Sequence, residues 1–268
     1  MEFNPEKYYE SLDAIFSEAA PVYDQKIQAN FINVDIREKE VKSVRERYIP
    51  GWRLLEIGCG TGEEAKKIIS ETGCDLTCVD ISKGMIEFAT TKIQKSGNGD
   101  KFRAFRLPAS SLGMVDGKFG IVYSFNGALN NEPNLSKFFK ALGEIVLSGG
   151  YFIVSVRNRL SLGEILADCS RLRLEKLFSR IRGNVNVEVV GKKVSSHYFT
   201  NSEFLKLVPS GFRLEESIGL GIFAIPSLYE KIRPEDTRSF LRRLESVFSG
   251  FPLINHLGDE TLFVFKKI

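Results

Sequence analysis

Three glycines stand at alternate positions, Gly58, Gly60 and Gly62, in this 268-residue chain. Glycine lets the backbone adopt positive φ angles and approach a ligand closely. The apolar run 53–58 is typical of a strand, and the pattern 63–73 predicts a helix that stops at Gly73. A helix that begins beside such a loop presents free N–H groups to a ligand. The spacing therefore predicts a binding loop at the exit of a strand.

An acidic residue, Asp80, follows the glycine loop at the end of the next predicted strand. Asp80 comes eighteen residues after Gly62, at the end of the second predicted strand, 75–80. In nucleotide-binding α/β folds an acid at this place accepts hydrogen bonds from ribose hydroxyls. The other interpretation is that Asp80 caps the helix that follows Ser82. Its pairing with the glycine loop favours ribose binding.

The glycine spacing argues against two other nucleotide sites. A dinucleotide site of the form GxGxxG needs a third glycine or alanine where this chain has Glu63. A P-loop needs Gly-Lys-Ser or Gly-Lys-Thr, which does not follow. The pattern thus favours a nucleoside ligand without a pyrophosphate.

Repeated strand and helix patterns position these residues. The chain divides into an N-terminal helical cover (1–50), an α/β core (51–156), a cap (157–200) and a C-terminal part of the core sheet (201–268). Nearly continuous apolar strands alternate with helices in the core, which indicates a parallel sheet covered on both faces. The further strands are predicted at 101–107, 120–125, 151–156, 212–220 and 261–268.

The sequence also predicts where several helices and one hairpin begin and end. Pro21 is expected to end the first helix, and a second helix is expected over about 35–48. The helix beginning near 134 is expected to continue to about 150. A hairpin is predicted over 185–199, turning at Gly191. Asn201 is the expected N-cap of the next helix, and another helix is expected near Pro234.

Composition excludes several classes. The chain is 43% hydrophobic and 26% charged, as in ordinary globular proteins, and its net charge is +3 with mixed signs. This is not the clustered positive charge of a nucleic-acid binder. The uncharged stretches of 13 residues are too short to span a bilayer. The polar N-terminus does not resemble a secretory signal, so a cytoplasmic location is expected. The four cysteines show no zinc-site spacing and are expected to be free, buried thiols: Cys59, Cys74, Cys78 and Cys169.

The motifs resemble those of one family, the class I S-adenosylmethionine (SAM)-dependent methyltransferases. LLEIGCGTGE at 54–63 is similar to their first motif, and CVDISKGMIEFA at 78–89 to their second. FSEAAPVYDQ at 16–25 is similar to the segment that small-molecule members lay over the cofactor, and GDETLFVFKK at 258–267 to a common ending. The resemblance implies a doubly wound, seven-stranded Rossmann-like sheet with strand order 3-2-1-4-5-7-6 and an antiparallel last strand. It also implies S-adenosyl-L-methionine as cofactor and S-adenosyl-L-homocysteine as product.

The resemblance assigns roles at matching positions. It implies that glycine-loop residues shape the methionine subsite, that Asp80 holds the ribose, and that residues after the third strand reach the adenine edge. The cofactor-binding residues expected on this basis are Tyr23, Glu56, Gly58, Cys59, Gly60, Gly62, Asp80, Ile81, Met85, Ala109, Ser110, Ser124 and Asn126. The chain departs from the family where Pro108 replaces an aspartate, and Ser110 is expected to substitute for it near the adenine amino group.

Methyl transfer asks little of side chains, because the methyl group on a sulfonium is already electrophilic. The enzyme aligns the nucleophile and excludes water, and a base is needed only where the nucleophile must lose a proton. The candidate catalytic residues are His197 and Asn126. His197 could equally be a half-buried strand residue without a catalytic role. For Asn126 and Asn130 the alternative role is helix capping. His256 is expected to be structural.

The acceptor expected from the sequence is a small, partly apolar molecule. The chain lacks the Asn-Pro-Pro-Tyr and Pro-Cys signatures of enzymes that methylate bases, so no nucleic-acid partner is expected. The apolar stretch 219–229 either walls the acceptor pocket or packs in the core. The alternative function is a non-catalytic SAM-binding protein or partner subunit with the same fold, and a nicotinamide reductase is a distant third. No metal site is predicted, and the oligomeric state stays open.

Overall fold

The computed structural model describes residues 4–223, 235–251 and 254–268. Within these ranges, seven strands form one sheet. They are β1 (Arg53–Ile57), β2 (Asp75–Asp80), β3 (Phe102–Arg106), β4 (Phe119–Ser124), β5 (Val146–Arg157), β8 (Phe212–Leu220) and β9 (Glu260–Lys267). Between β5 and β8 in the chain, β6 (Asn184–Val189) and β7 (Lys192–His197) form a separate hairpin.

The strand order in the large sheet is β3-β2-β1-β4-β5-β9-β8. The first five of these strands are parallel, whereas β9 runs antiparallel to both β5 and β8. Since the hairpin lies outside the sheet, this is the predicted order 3-2-1-4-5-7-6 with its antiparallel last strand, and the predicted fold class is confirmed. The order reverses between β1 and β4, so the carboxyl ends of these two strands flank a crevice.

Helices cover both faces of the sheet. They are α1 (Pro5–Gln28), α2 (Phe31–Arg45), α3 (Glu63–Thr72), α4 (Lys83–Lys95), α5 (Leu135–Ile145), α6 (Leu162–Ser170), α7 (Leu174–Ile181), α8 (Asn201–Leu207) and α9 (Glu235–Phe248). Apolar side chains of α2, α3 and α4 pack in the core on one face, and those of α5 and α8 in the core on the other. No helix among the described residues is long and apolar enough to cross a membrane.

The first helix does not end at Pro21, contrary to the sequence prediction. It continues to Gln28, although proline removes the hydrogen bond to the carbonyl group four residues earlier. Tertiary packing outweighs this loss: Ala19 and Ala20 are buried against Met85. At Gly84 the backbones of α1 and α4 come so close that an added Cβ would lie 2.7 Å from Ser17 Cα. The helix thereby becomes the cover of the crevice.

Three element boundaries also differ from the predictions. α2 begins at residue 31 rather than 35, because the Asn30 side chain accepts a hydrogen bond from the Ile32 N–H group. α5 ends at Ile145, because Val146 already pairs with Phe119 of β4. The N-cap of α8 is Thr200 rather than Asn201.

The capping of α8 has a local cause. Thr200 and Glu203 form a reciprocal capping box, in which each side chain accepts a hydrogen bond from the other residue's N–H group. Asn201 instead accepts a hydrogen bond from the Thr261 hydroxyl group. The hairpin turns at Gly191, as predicted, with positive φ at Val190 and Gly191. Pro234, near the predicted last helix, lies outside the described residues, and α9 begins directly after it.

Candidate cofactor and acceptor site

A cavity lies at the carboxyl ends of β1, β2 and β4, under α1. About 920 Å³ of empty space lies within it, its open mouth included. Its floor is formed by the glycine loop after β1, and its far walls by the segments after β3 and β4. The topology thus brings together the two features that the sequence singled out, the glycine loop and Asp80.

The three glycines of the loop serve different purposes. All have positive φ, between 51° and 75°. An added Cβ would lie 2.4 Å from Ala128 Cβ at Gly58 and 2.8 Å from Ala89 Cβ at Gly62, so close packing requires glycine at both. At Gly60 an added Cβ would meet nothing within 4 Å, although this residue lines the cavity. Gly60 therefore leaves space that a ligand can fill.

Asp80 ties this loop to the second strand. One carboxylate oxygen accepts a hydrogen bond from the Gly60 N–H group and the other from the Ser82 N–H group, each at 2.8 Å. The N-cap of α4 is Ser82, whose hydroxyl accepts from the Met85 N–H group, so Asp80 is not the cap. A carboxylate has about four acceptor positions. Two are used here, and the side chain also lines the cavity.

Burial changes the acidity of this carboxyl group. Asp80 is only 9% exposed, and desolvation raises its pKa to about 6, while the two backbone hydrogen bonds act in the opposite direction. The carboxylate form is the better acceptor for hydroxyl donors. Above this pKa the side chain is therefore in the form that accepts such hydrogen bonds best.

Apolar side chains continue the cavity on the β3 side of Asp80. Ile81 and Met85 line one wall, and Leu107, Pro108 and Ala109 line another. Because β3 lies beside β2 and away from β1, this slot extends from Asp80 in the direction opposite to the glycine loop. Ile81, Met85 and Ala109 are in the places that the resemblance assigned to the adenine subsite.

Tyr23, Cys59 and Asn126 also line the cavity, as do Gly58 and Gly60. The Asn126 backbone has a φ of 54°, unusual for a residue other than glycine. Its N–H group donates to Glu40 Oε1, and its Nδ2 donates to Glu64 Oε1 at 3.3 Å. Asn126 is therefore held at the β4 side of the cavity by two acids, rather than acting as a helix cap.

Four residues predicted to bind the cofactor do not line the cavity: Glu56, Gly62, Ser110 and Ser124. Glu56 lies beneath the loop, where it accepts hydrogen bonds from Cys78 and Tyr123, and burial raises its pKa well above the usual range. The Ser124 hydroxyl donates to the Ile57 carbonyl group. The Ser110 hydroxyl pairs with Tyr9. The geometry supports a structural role for each.

His197 is not at the cavity either. Its side chain is exposed on the hairpin, and Nδ1 lies 3.2 Å from Asn184 Oδ1. Partial burial, together with the nearby positive charge of Arg159, lowers its pKa. This position fits the alternative of an ordinary strand residue. His256 likewise lies apart from the cavity lining.

Sequence reasoning missed three charged residues that line the cavity: Arg37, Glu64 and Glu132. Arg37 Nε lies 3.0 Å from Glu64 Oε1, and the Arg37 guanidinium lies 6.0 Å from the centre of the Tyr23 ring. Among the described residues, Arg37 is the one cation in the lining. An arginine within an amphipathic helix carries no motif, so only the packing of α2 against the loop reveals it.

Glu132 joins two walls of the cavity. Its carboxylate accepts hydrogen bonds from the Ser110 N–H group at 3.0 Å, the Asn134 N–H group at 2.8 Å and the Tyr9 hydroxyl group. It is 9% exposed. A carboxylate from the segment after β4 thus reaches the Pro108–Ala109 wall, where the chain lacks the family's aspartate.

Binding of SAM should depend on pH through Asp80. We expect the affinity to be constant well above the Asp80 pKa of about 6. It should fall by about tenfold for each pH unit below that value, because protonation removes the charged acceptor of the ribose hydroxyls. Calorimetric titration across this range measures the effect. The Asp80→Asn variant should bind weakly and without this step, whereas Asp75→Asn, an exposed acid at the other end of β2, should behave like the wild type. The same step in Asp80→Asn would contradict the assignment.

Gly60→Asn tests the space above the loop. Asparagine tolerates positive φ, so the melting temperature without ligand should change little. The side chain should fill part of the cavity and weaken SAM binding by at least about tenfold. The matched control is Gly97→Asn, because Gly97 has a φ of 80° and equally open surroundings at an exposed position. Equal affinity of the two variants would show that the loop is an ordinary turn.

Comparison with known proteins finds a methyltransferase domain and methyltransferase relatives. Residues 54–150 match a family model described as a methyltransferase domain. A demethylmenaquinone methyltransferase from Bacteroides fragilis is 24% identical over 214 residues, which are 78% of this chain and 82% of that protein. A sterol 24-C-methyltransferase from Gibberella zeae is 26% identical over 103 residues, which are 38% of this chain but only 27% of that protein.

Solved structures show the same fold. The 1,6-didemethyltoxoflavin-N1-methyltransferase of Burkholderia thailandensis, solved with S-adenosylhomocysteine, has a TM-score of 0.62 at 15% identity and covers 100% of this chain and 92% of its own. A SAM-dependent methyltransferase from Clostridium acetobutylicum has a TM-score of 0.60 at 15% identity and covers 92% and 97%. The strand order, the glycine loop and Asp80 are all present beside a matching domain: residues 54–150 are a methyltransferase domain, and the chain as a whole is similar to the class I S-adenosylmethionine-dependent methyltransferases.

Proposed function

We propose that this chain transfers the methyl group of SAM to a small acceptor with substantial apolar surface. The observation that carries the proposal is the single cavity in which the Gly60 loop and Asp80 stand opposite apolar side chains of α1, Leu12 and Phe16. The named substrates of the demethylmenaquinone and sterol relatives are consistent with such an acceptor. Among the described residues, Arg37 is the one cation in the lining, which does not suit a polyanionic nucleic acid.

The residues present fit SAM. Asp80 retains acceptor positions for the ribose hydroxyls, and Ile81 and Met85 provide an apolar wall for the adenine ring. Gly60 leaves room for the methionine portion on the β1 side. Arg37, now paired with Glu64, is placed to bind the methionine carboxylate. When bound, SAM supplies a methyl group that is electrophilic without further activation.

The chain mainly positions the acceptor. Tyr23 from α1 and Phe125 and Asn126 after β4 line the end of the cavity that lies across the glycine loop from the adenine slot. We assign Asn126 to orienting the acceptor, since its backbone and side chain are both fixed by hydrogen bonds. The cover formed by α1 excludes water from the cavity. The fixed side chains hold the acceptor atom in line with the bond between the methyl carbon and sulfur.

Few groups in the cavity are suited to removing a proton from the acceptor. No histidine or lysine of the described residues lines it, and burial raises the pKa of Tyr23. The three carboxylates of the lining are all engaged: Asp80 by two N–H groups, Glu64 by Arg37 and Asn126, and Glu132 by two N–H groups and the Tyr9 hydroxyl group. We therefore propose an acceptor atom that attacks without a strong base, such as an amine, a sulfide, an electron-rich carbon or an oxygen that is already ionised.

A cytoplasmic location remains part of this proposal. All four cysteines have free thiols, and Cys59, Cys74 and Cys78 are buried, as predicted, whereas Cys169 is exposed. Unpaired cysteines, one of them accessible, suit a reducing compartment.

Transfer of a labelled methyl group tests the proposed function. Wild-type protein is incubated with methyl-labelled SAM and a cell extract, which is then separated into organic-soluble small molecules, water-soluble small molecules and nucleic acids. We expect label in the organic-soluble fraction, lost in Asp80→Ala and kept in Asp75→Ala. Label in nucleic acid would contradict the proposal. SAM binding without transfer to any fraction would favour the non-catalytic alternative.

Recognition of the adenine amino group is assigned to Glu132. Wild-type protein should prefer S-adenosylhomocysteine to S-inosylhomocysteine, which carries an oxygen in place of that amino group, by about tenfold or more. Glu132→Gln should lose most of this preference, because its amide no longer offers a charged acceptor. Tyr9→Phe removes the contact between Tyr9 and Glu132 but keeps the carboxylate, so it should retain the preference. Unchanged discrimination in Glu132→Gln, measured by calorimetric competition, would remove Glu132 from the adenine subsite.

A further inference from the structure

The cap between β5 and β6 exposes an unusual amount of apolar surface. Seven large side chains from α6, α7 and the adjoining turns are each 40% to 83% exposed, and together they are called here the cap patch: Leu160, Leu162, Leu166, Leu172, Leu174, Phe178 and Ile181. The two helices pack against each other. Spacings of three or four residues place the apolar side chains of each helix on one side of it. Exposed apolar side chains grouped on neighbouring helices are more typical of a binding surface than single exposed ones.

Leu172 is the most exposed member of the patch, and its backbone is strained. Its φ is 55°, a conformation that leucine rarely adopts. It follows α6, where the Leu172 N–H group donates to the Cys169 carbonyl and the Arg173 N–H group donates to the Asp168 carbonyl. Glycine is the usual residue at this kind of helix end. A leucine that is 83% exposed gains little from folding there, so its presence points to a partner outside the chain.

Four cations and one exposed acid, Glu175, stand next to the patch residues along the chain. Arg171, Arg173, Lys176 and Arg182 are exposed or half-buried. In the described part of the chain, no carboxylate lies within 4 Å of any of these four side chains. Arg180 is different, because it turns inward and pairs with Asp259 at 2.8 Å. Apolar side chains with unpaired cations beside them match the surface of a bilayer that carries anionic headgroups.

We propose that the cap patch docks onto an anionic lipid bilayer. Leu172, Leu174 and Phe178 enter the interfacial region, and the four cations bind headgroup phosphates. Charge complementarity favours this occupant over a second copy of the chain. A two-fold dimer would bring the same patch together from both copies, and with it the unpaired cations of each.

The patch is linked to the cavity through the hairpin that follows α7. Val189 and Val190, at the hairpin tip, pack against Ala19, Ala20 and Met85 next to the cavity. Docking would therefore bring the cavity cover close to the phase in which an apolar acceptor dissolves. The docking proposal itself does not depend on methyl transfer, and its test uses neither SAM nor an acceptor.

Cosedimentation of the full chain with vesicles tests the proposal. Vesicles of phosphatidylcholine with phosphatidylglycerol should bind the wild type, more weakly as salt is added, and vesicles of phosphatidylcholine alone should bind it far less. The double variant Leu172→Asn/Phe178→Ser should lower the partition coefficient by roughly tenfold or more. Arg171→Gln/Arg173→Gln should reduce the difference between the two vesicle types. The matched control is Met114→Ser, which removes a 71% exposed side chain far along the chain from the patch and should bind like the wild type.

The variant Leu172→Asn also serves as a control for correct folding. Asparagine tolerates positive φ, so Leu172→Asn alone should have a melting temperature equal to or above that of the wild type while binding vesicles more weakly. No binding by the wild type, equal binding to both vesicle types, or unchanged binding by the double variant would overturn the proposal. A lipid-free dimer that dissociates in Leu172→Asn, seen by analytical ultracentrifugation, would also overturn it in favour of a self-association surface.

Discussion

The buried carboxylate of Asp80 is the interaction on which the site depends. It accepts hydrogen bonds from the backbone of two neighbouring loops, from Gly60 after β1 and from Ser82 between β2 and α4. Because a carboxylate without partners would be costly at this depth, the loop is held where its N–H group can reach Asp80. The same desolvation that demands these partners also raises the pKa to about 6. Loop geometry, cavity shape and acidity therefore share one cause.

A second group of buried acids fixes the opposite side of the cavity. Glu40 on α2 accepts hydrogen bonds from the Asn126 N–H group and the Ser155 hydroxyl group, which joins the ends of β4 and β5 to the helical cover. Burial beside Glu260 raises the pKa of Glu40 well above its usual range. Asn126 is thereby kept in a left-handed conformation at the cavity wall. Groups fixed by hydrogen bonds therefore stand on both sides of the cavity.

Helix α1 and the cap helices α6 and α7 differ in how much of their apolar surface is buried. α1 is held by close packing, since Gly84 lets its backbone approach α4 and the hairpin tip buries Ala19 and Ala20. The cap helices instead leave leucines in solvent and place one of them in a strained turn. Apolar burial stabilises a fold only where water is removed, so the cap surface contributes little to the stability of the free chain.

The sequence by itself determined the alternation of strands and helices, the glycine loop and the acid at the end of β2, because these depend on local patterns: apolar strands, glycines that permit positive φ, and an acid at a strand end. The strand order followed from the resemblance of the motifs to a known family. The sequence also placed the hairpin turn at Gly191. It misjudged Pro21, the boundaries of α2 and α5, and the cap of α8, where tertiary contacts outweigh local preference. It also missed Arg37, Glu64 and Glu132, and it assigned cofactor contacts to Glu56 and Ser124, which face inward. Only tertiary packing decides which side of a strand or helix meets the cavity. Arg37 and Glu132 belong to no sequence motif, and they come to the site from elements far apart in the chain.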